Sequence, residues 1–166
     1  MPPEAVRRLS FEALGTDCHL FGVGLQPGGL GQGRAWVEGM HRRLSRFLPE
    51  SELSRLNART GEWVRVSPEL GALLRAALDA WRTSGGLVNA GVLEAMLAAG
   101  YTRPLRLGPT TGGAASGPLP PLPEVLEVGS GRARLQPGTG IDLGGLAKGW
   151  MADRLAGRLG PNCLVN

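Results

Sequence analysis

Apolar positions recur along the chain with two periods. From Arg34 onward Trp36, Val37, Met40, Leu44 and Phe47 are spaced by three and four, which marks one buried helix face and predicts a helix ending near Pro49. The run E-W-V-R-V at 62–66 alternates like a strand and leads into Ser67-Pro68-Glu69. There Ser can cap, Pro suits the first helical position and Glu meets the positive helix end. Leu70, Leu73, Leu74, Ala77, Leu78 and Trp81 then form the buried stripe of a helix stopped by Gly85-Gly86. Shorter patterns predict helices over 92–99 and 146–159, closed by Gly100 and Gly160. Residues 10–25 mix alternation with glycine and suit two short strands or one bulged strand. G-G-L-G-Q-G at 28–33 reads as a turn, and V-L-E-V and A-R-L-Q about Gly129-Ser130-Gly131 as a hairpin. The last residues, C-L-V-N, read as a strand just begun, which predicts a piece of a longer chain.

Composition adds bounds. At 166 residues, 42% apolar, with Gly 27 and Pro 13, the chain reads as a globular, loop-rich α/β or α+β domain. Residues 104–123 are too rich in Pro, Gly, Ser and Thr to pack and predict a flexible exposed loop. Net charge is +4, but the arginines are spread from Arg7 to Arg158 with few aromatics beside them, which argues against a nucleic-acid partner. Cys18 and Cys163 lack metal or redox spacing and read as small buried residues. No signal-peptide core and no membrane-span pattern occurs. The expectation is a cytoplasmic protein, or one exported as part of a longer precursor.

Candidate chemistry gathers in G-I-D-L-G-G-L-A-K-G-W-M-A-D at 140–153. A strand end passing through paired glycines into a helix directs backbone N–H groups and the helix dipole at an anion. Gly144 and Gly145 permit close approach of a diphosphate. Lys148 is the only lysine beside 17 arginines, so a compact mobile charge is used where composition favours a rigid guanidinium. Asp142 can accept hydrogen bonds from a nucleotide or organise a hydrated cation. The bland alternative is a tight turn with Asp142 as a cap. Neither a Walker pattern nor G-x-G-x-x-G is present, so the residues alone reach only as far as an anionic ligand.

D-L-G-G-L-A-K-G-W-M-A-D resembles the D-L-G-G-I-A-K-G-x-x-x-D signature of the FAD:protein FMN transferases, and A-L-G-T at 13–16, S-E-L-S-R-L-N at 51–57 and V-S-P-E-L at 66–70 follow the family's order. The resemblance runs from about Phe11 to Asn166 and covers about the first half of a family member. It implies an α+β fold, a mixed and mainly antiparallel sheet flanked by helices, with 1–166 as a single incomplete domain at the amino-terminal end of a larger flavin transferase fold. It also implies Mg2+-dependent transfer of FMN from FAD to a Thr or Ser hydroxyl of a target protein, with release of AMP. Position by position, Asp142 and Lys148 match flavin-nucleotide contacts, and Gly145 falls where a backbone carbonyl helps hold the magnesium. Leu14 replaces a Met lining the flavin pocket. Phe47 matches an aromatic beside the flavin, although periodicity makes it equally the last core residue of its helix. Leu87, Val88 and Asn89 lie at a further cofactor-binding stretch, where Val88-Asn89-Ala90-Gly91 stands in place of F-D-P-T. Asn89 keeps the shape of the family aspartate without its charge.

The family's G-G-D turn, His-containing segment and metal-completing D-A-x-x-T segment have no counterpart in this sequence, and neither His19 nor His41 replaces that histidine. No residue is assigned a catalytic role. Three readings follow: a transferase whose active site these residues complete only in part, a flavin-binding module without transferase activity, and an inactive truncated remnant.

Overall fold

In the computed structural model, residues 5–108, 110–113 and 117–166 are described. The elements in order are β1 (Arg7–Ala13), β2 (Thr16–Gly22), α1 (Gly29–Leu44), α2 (Glu52–Ala58), β3 (Val64–Arg65), α3 (Pro68–Thr83), α4 (Leu93–Ala98), a single 3-10 turn (Leu105–Leu107), α5 (Leu122–Val125), β4 (Leu126–Val128), β5 (Arg132–Leu135), α6 (Gly144–Leu159) and β6 (Cys163–Val165). Helices combine with two three-stranded antiparallel sheets, so the fold is α+β as expected. None of these helices is long and apolar enough to cross a membrane. The chain divides into two compact units, 1–42 with 147–166, and 43–146.

In the first unit the sheet order is β1-β2-β6. Residues 10–25 resolve into two strands rather than one bulged strand, with Ala13 opposite Thr16. The two-residue connection Leu14-Gly15 has φ of 58° and 71°, the left-handed pair that matches the twist of a tight hairpin. The closing C-L-V run pairs with β2, Leu20 opposite Val165. Helix α1 corrects the reading of 28–33 as a turn: only Gly28 turns, at φ 80°, and Gly29 already begins the helix. Local propensity opposes glycine there, but packing selects it. A Cβ on Gly33 would lie 3.1 Å from Leu20 Cδ1 and 3.4 Å from Leu155 Cδ1, so the missing side chain lets α1 close on β2 and α6. The helix also ends at Leu44, which leaves Phe47 beyond it. Cys18 is buried, and desolvation pushes its thiol above the ordinary cysteine pKa, which keeps it protonated and unreactive. Cys163 is half-buried and donates to the Gly160 carbonyl at 3.0 Å.

The second unit carries sheet β3-β5-β4, with Val64 opposite Ala133 and Leu126 opposite Leu135. Its inward face joins Leu53, Leu56, Leu70, Leu73, Leu74, Leu122, Val125 and Ile141, all nearly inaccessible. Helix α3 begins where Ser67-Pro68-Glu69 predicts: Ser67 Oγ accepts from the Leu70 amide at 3.2 Å, and Gly85 and Gly86, at φ 62° and 88°, end it. Ser51 caps α2 likewise and is 1% exposed. The proline-rich stretch is exposed over 111–113 and 117–120, but its end is structured, because Leu122 is buried and opens α5. Leu105–Leu107 form the 3-10 turn near its start, and residues 109 and 114–116 of that predicted loop lie outside the described residues.

Replacing Ser67 with Ala removes the side-chain acceptor of the Leu70 amide at the start of α3 and should cost about 1 kcal/mol, with Ser67→Thr recovering most of it, as read by urea denaturation.

Candidate functional site

The segment before the paired glycines is held by side chains. A strand end is expected there, yet Ile141 exchanges both backbone bonds with one amide: Asn57 Nδ2 donates to its carbonyl at 2.9 Å, and its N–H donates to Asn57 Oδ1 at 3.0 Å. The Asp142 amide donates to the Ala90 carbonyl at 2.9 Å. No sheet ladder among the described residues includes this segment. Asn57 is an effective substitute because its amide offers a donor and an acceptor with the spacing of a peptide group. Helix α6 then starts at Gly144, and the paired glycines form its first turn.

Asp142 is the hinge of this start. Its Oδ1 accepts the Gly144 amide at 2.7 Å, capping the helix, and its Oδ2 accepts from Arg46 Nε at 2.5 Å. The two side chains are 10% and 7% exposed, so this is a buried ion pair. Arg46 Nη2 also donates to the Tyr101 carbonyl at 2.7 Å, and the guanidinium carbon lies 4.1 Å from the Phe47 ring centre and 4.4 Å from that of Tyr101. The two rings meet edge to face at 5.7 Å. Arginine suits this place because its planar, weakly hydrated cation stacks on aromatic faces while its edge serves oxygens. Phe47 is therefore half-buried against Arg46 and Tyr101 rather than closing helix α1.

Gly145 is exposed, and a Cβ built on it meets no atom within 4 Å. Nothing within the chain requires glycine there, whereas on Gly144 the same Cβ would stand 2.9 Å from Asp142 Oδ1. Lys148 is exposed on α6. Leu14 is half-buried at φ 58°, a conformation costing a non-glycine residue about 1–2 kcal/mol. Asn89 is engaged at both ends: Oδ1 accepts from the Gly91 amide at 2.8 Å and Nδ2 donates to the Pro120 carbonyl at 3.0 Å. The second bond needs a donor, which an aspartate in that position would not provide. Leu87 and Val88, 90% and 44% exposed, leave apolar surface bare beside it. The described residues hold no group of three or more His, Cys, Asp or Glu suited to a metal ion.

A sequence model of the ApbE family matches residues 14–164. The chain belongs to the ApbE family. Among solved structures, its fold is similar to the flavinyl transferase ApbE of Pseudomonas stutzeri in its apo form, with a TM-score of 0.83 at 18% identity over 100% of this chain and 60% of that one. It is similar to the flavin transferase ApbE of Vibrio cholerae, with a TM-score of 0.79 at 20% identity over 99% and 57%. It is also similar to the ApbE protein of Thermotoga maritima, with a TM-score of 0.74 at 20% identity over 93% and 52%. The chain thus spans a little over half the length of the structures it matches. Comparison with curated proteins gives no match.

Within this ApbE chain the motif pieces of the second unit meet. Asn57, from S-E-L-S-R-L-N, clamps Ile141, and Glu52 of the same piece accepts the Ser67 amide of V-S-P-E-L at 2.9 Å. Arg46, Tyr101 and the part played by Asn57 have no local sequence signal. What could have pointed to Arg46 is the need of a buried Asp142 for a cation.

Asn57→Ala leaves the amide and carbonyl of fully buried Ile141 unpaired and should cost roughly 2–6 kcal/mol in urea denaturation, at 1–3 kcal/mol for each unpaired group. Asn57→Asp should fall between the variant and the parent, since it keeps the acceptor and loses the donor.

Proposed function

We propose that this chain supplies the nucleotide-binding part of an FAD:protein FMN transferase. The observation that carries the reading is the bare first turn of α6: Gly145 faces open space behind a start that Asp142 fixes. The Gly144 amide donates to Asp142 Oδ1 and the Leu146 amide to the Leu143 carbonyl at 3.0 Å, so the Gly145 amide is the first-turn donor open to a ligand; the helix dipole favours negative charge there, which suits the FAD diphosphate. Lys148, three residues further along the same helix, adds a mobile positive charge. Asp142 keeps lone pairs beyond those used by Gly144 and Arg46 and can contact the nucleotide as the family position implies.

In the reaction, a Thr or Ser hydroxyl oxygen of the target protein attacks the FMN-side phosphorus. The bond to the bridging oxygen breaks, a phosphoester forms, AMP leaves and the hydroxyl proton passes to solvent. Positioning and charge neutralisation account for most of such a transfer, which suits a helix start and a lysine. Magnesium would neutralise charge on the diphosphate. These residues do not make its site: Gly145 offers one carbonyl, and both Asp142 oxygens already accept hydrogen bonds. By the resemblance, the Gly145 carbonyl would help hold the ion, and a D-A-x-x-T segment would complete its site. By the resemblance alone, Leu14 stands at the position of the family methionine that lines the flavin pocket, and within the second unit Phe47, Leu87 and Val88 stand at positions of apolar flavin contacts.

The observation favouring the binding-only reading is Asn89, which places a neutral, doubly bonded amide where the family has a carboxylate. Incubation with FAD, Mg2+ and a Thr-bearing acceptor protein separates the two readings. Flavin fluorescence on the acceptor that survives denaturing electrophoresis, with AMP released, supports transfer, whereas FAD binding without either product leaves only the module. Gly145→Ala should change unfolding free energy by no more than about 1 kcal/mol, because the new methyl meets nothing. It should nevertheless weaken FAD binding at least about tenfold, as read by flavin fluorescence. Unchanged FAD affinity would remove the first turn of α6 from the site.

A further inference from the structure

We propose that the exposed face of sheet β3-β5-β4 docks an extended acidic segment of a partner protein. Val64 and Ala133 point into the core, so Arg65 and Arg132, directly opposite each other in the next register position, share the outer face. Opposed like charges weaken a strand pair. Charges placed only to keep a sheet edge from aggregating belong on the edge strand, which explains Arg65 on β3 but not Arg132, because β5 is the central strand.

Trp63, 38% exposed, lies beside this pair with the guanidinium carbons of Arg132 and Arg134 at 4.7 and 5.2 Å from its ring centre. Gly129 makes room for that arrangement: a Cβ there would meet Arg132 Cγ at 3.3 Å and Trp63 Cζ3 at 3.4 Å. Arg75 Nη2 donates to the Gly129 carbonyl at 3.3 Å and brings a third guanidinium to the same turn.

Several other arginines near this face are neutralised. Arg59 pairs with Glu62, Arg82 with Asp79 and Arg134 with Glu127. Among the described residues, Arg65, Arg75 and Arg132 have no ion pair of this kind. Arg132 against the indole, Arg65 opposite it on the neighbouring strand and Arg75 at the Gly129 turn offer guanidinium forks that can bind carboxylates two-pronged, with the ring covering the segment's aliphatic stems. A nucleic acid is the poorer fit, because the patch is short and is flanked by Glu127, whereas a phosphate backbone needs a longer positive track.

Fluorescence polarisation of the full chain with a fluorescein-labelled decapeptide of alternating Glu and Thr tests this independently of flavin transfer. The expected result is saturable binding, weakened at least about tenfold in Arg65→Gln/Arg132→Gln and restored in part by lysine at both positions. The melting temperature of the glutamine variant should stay level or rise, which separates lost docking from lost folding. A peptide that fails to bind, or that binds the glutamine variant equally well, overturns the proposal. So does an oligothymidylate of equal charge that displaces the peptide at lower concentration than the unlabelled peptide itself.

Discussion

The buried pair between Arg46 and Asp142 is the constraint to which the motif segment conforms. Removing two charges from water is costly, and a single contact would not offset it. Here the cost is spread. The guanidinium has two aromatic faces and a backbone carbonyl besides the carboxylate, and the carboxylate caps a helix with its second oxygen. Fixing Asp142 fixes the residue from which α6 departs, and hence the direction of its first-turn amides. The bare Gly145 turn acquires its orientation in part from Arg46, which acts on it through Asp142.

The motif pieces around this pair divide the labour. S-E-L-S-R-L-N supplies a cap through Ser51, a brace to α3 through Glu52 and a peptide-like clamp through Asn57. V-S-P-E-L supplies the cap of α3. These residues are struts that hold one local geometry. Asn89 belongs with them in this chain, because its amide ties Gly91 to Pro120.

What could be read in the sequence followed from local rules. Ser67-Pro68-Glu69 marked α3 because capping is settled within four residues, and Gly129-Ser130-Gly131 marked the hairpin for the same reason. The start of α1 was hidden because Gly29, Gly31 and Gly33 look like a turn until Leu20 and Leu155 close on Gly33, and neither is a near neighbour in sequence. The apparent strand before Gly144 was apolar for burial, while its hydrogen bonds went to a side chain 84 residues away. Arg46 escaped notice because it is one of many arginines and its partner is 96 residues distant. Asp142, Gly145 and Lys148 stood out as candidates for an anion site, but the group that holds Asp142 did not.

A double-mutant cycle across Arg46→Gln and Asp142→Asn, read by urea denaturation, bears most directly on this. If the pair sets the start of α6, each single variant strands a buried partner and loses about 3–5 kcal/mol, and the double variant loses clearly less than their sum. Losses that simply add, with coupling below about 0.5 kcal/mol, would show that the two groups act independently and that the helix start is fixed by something else.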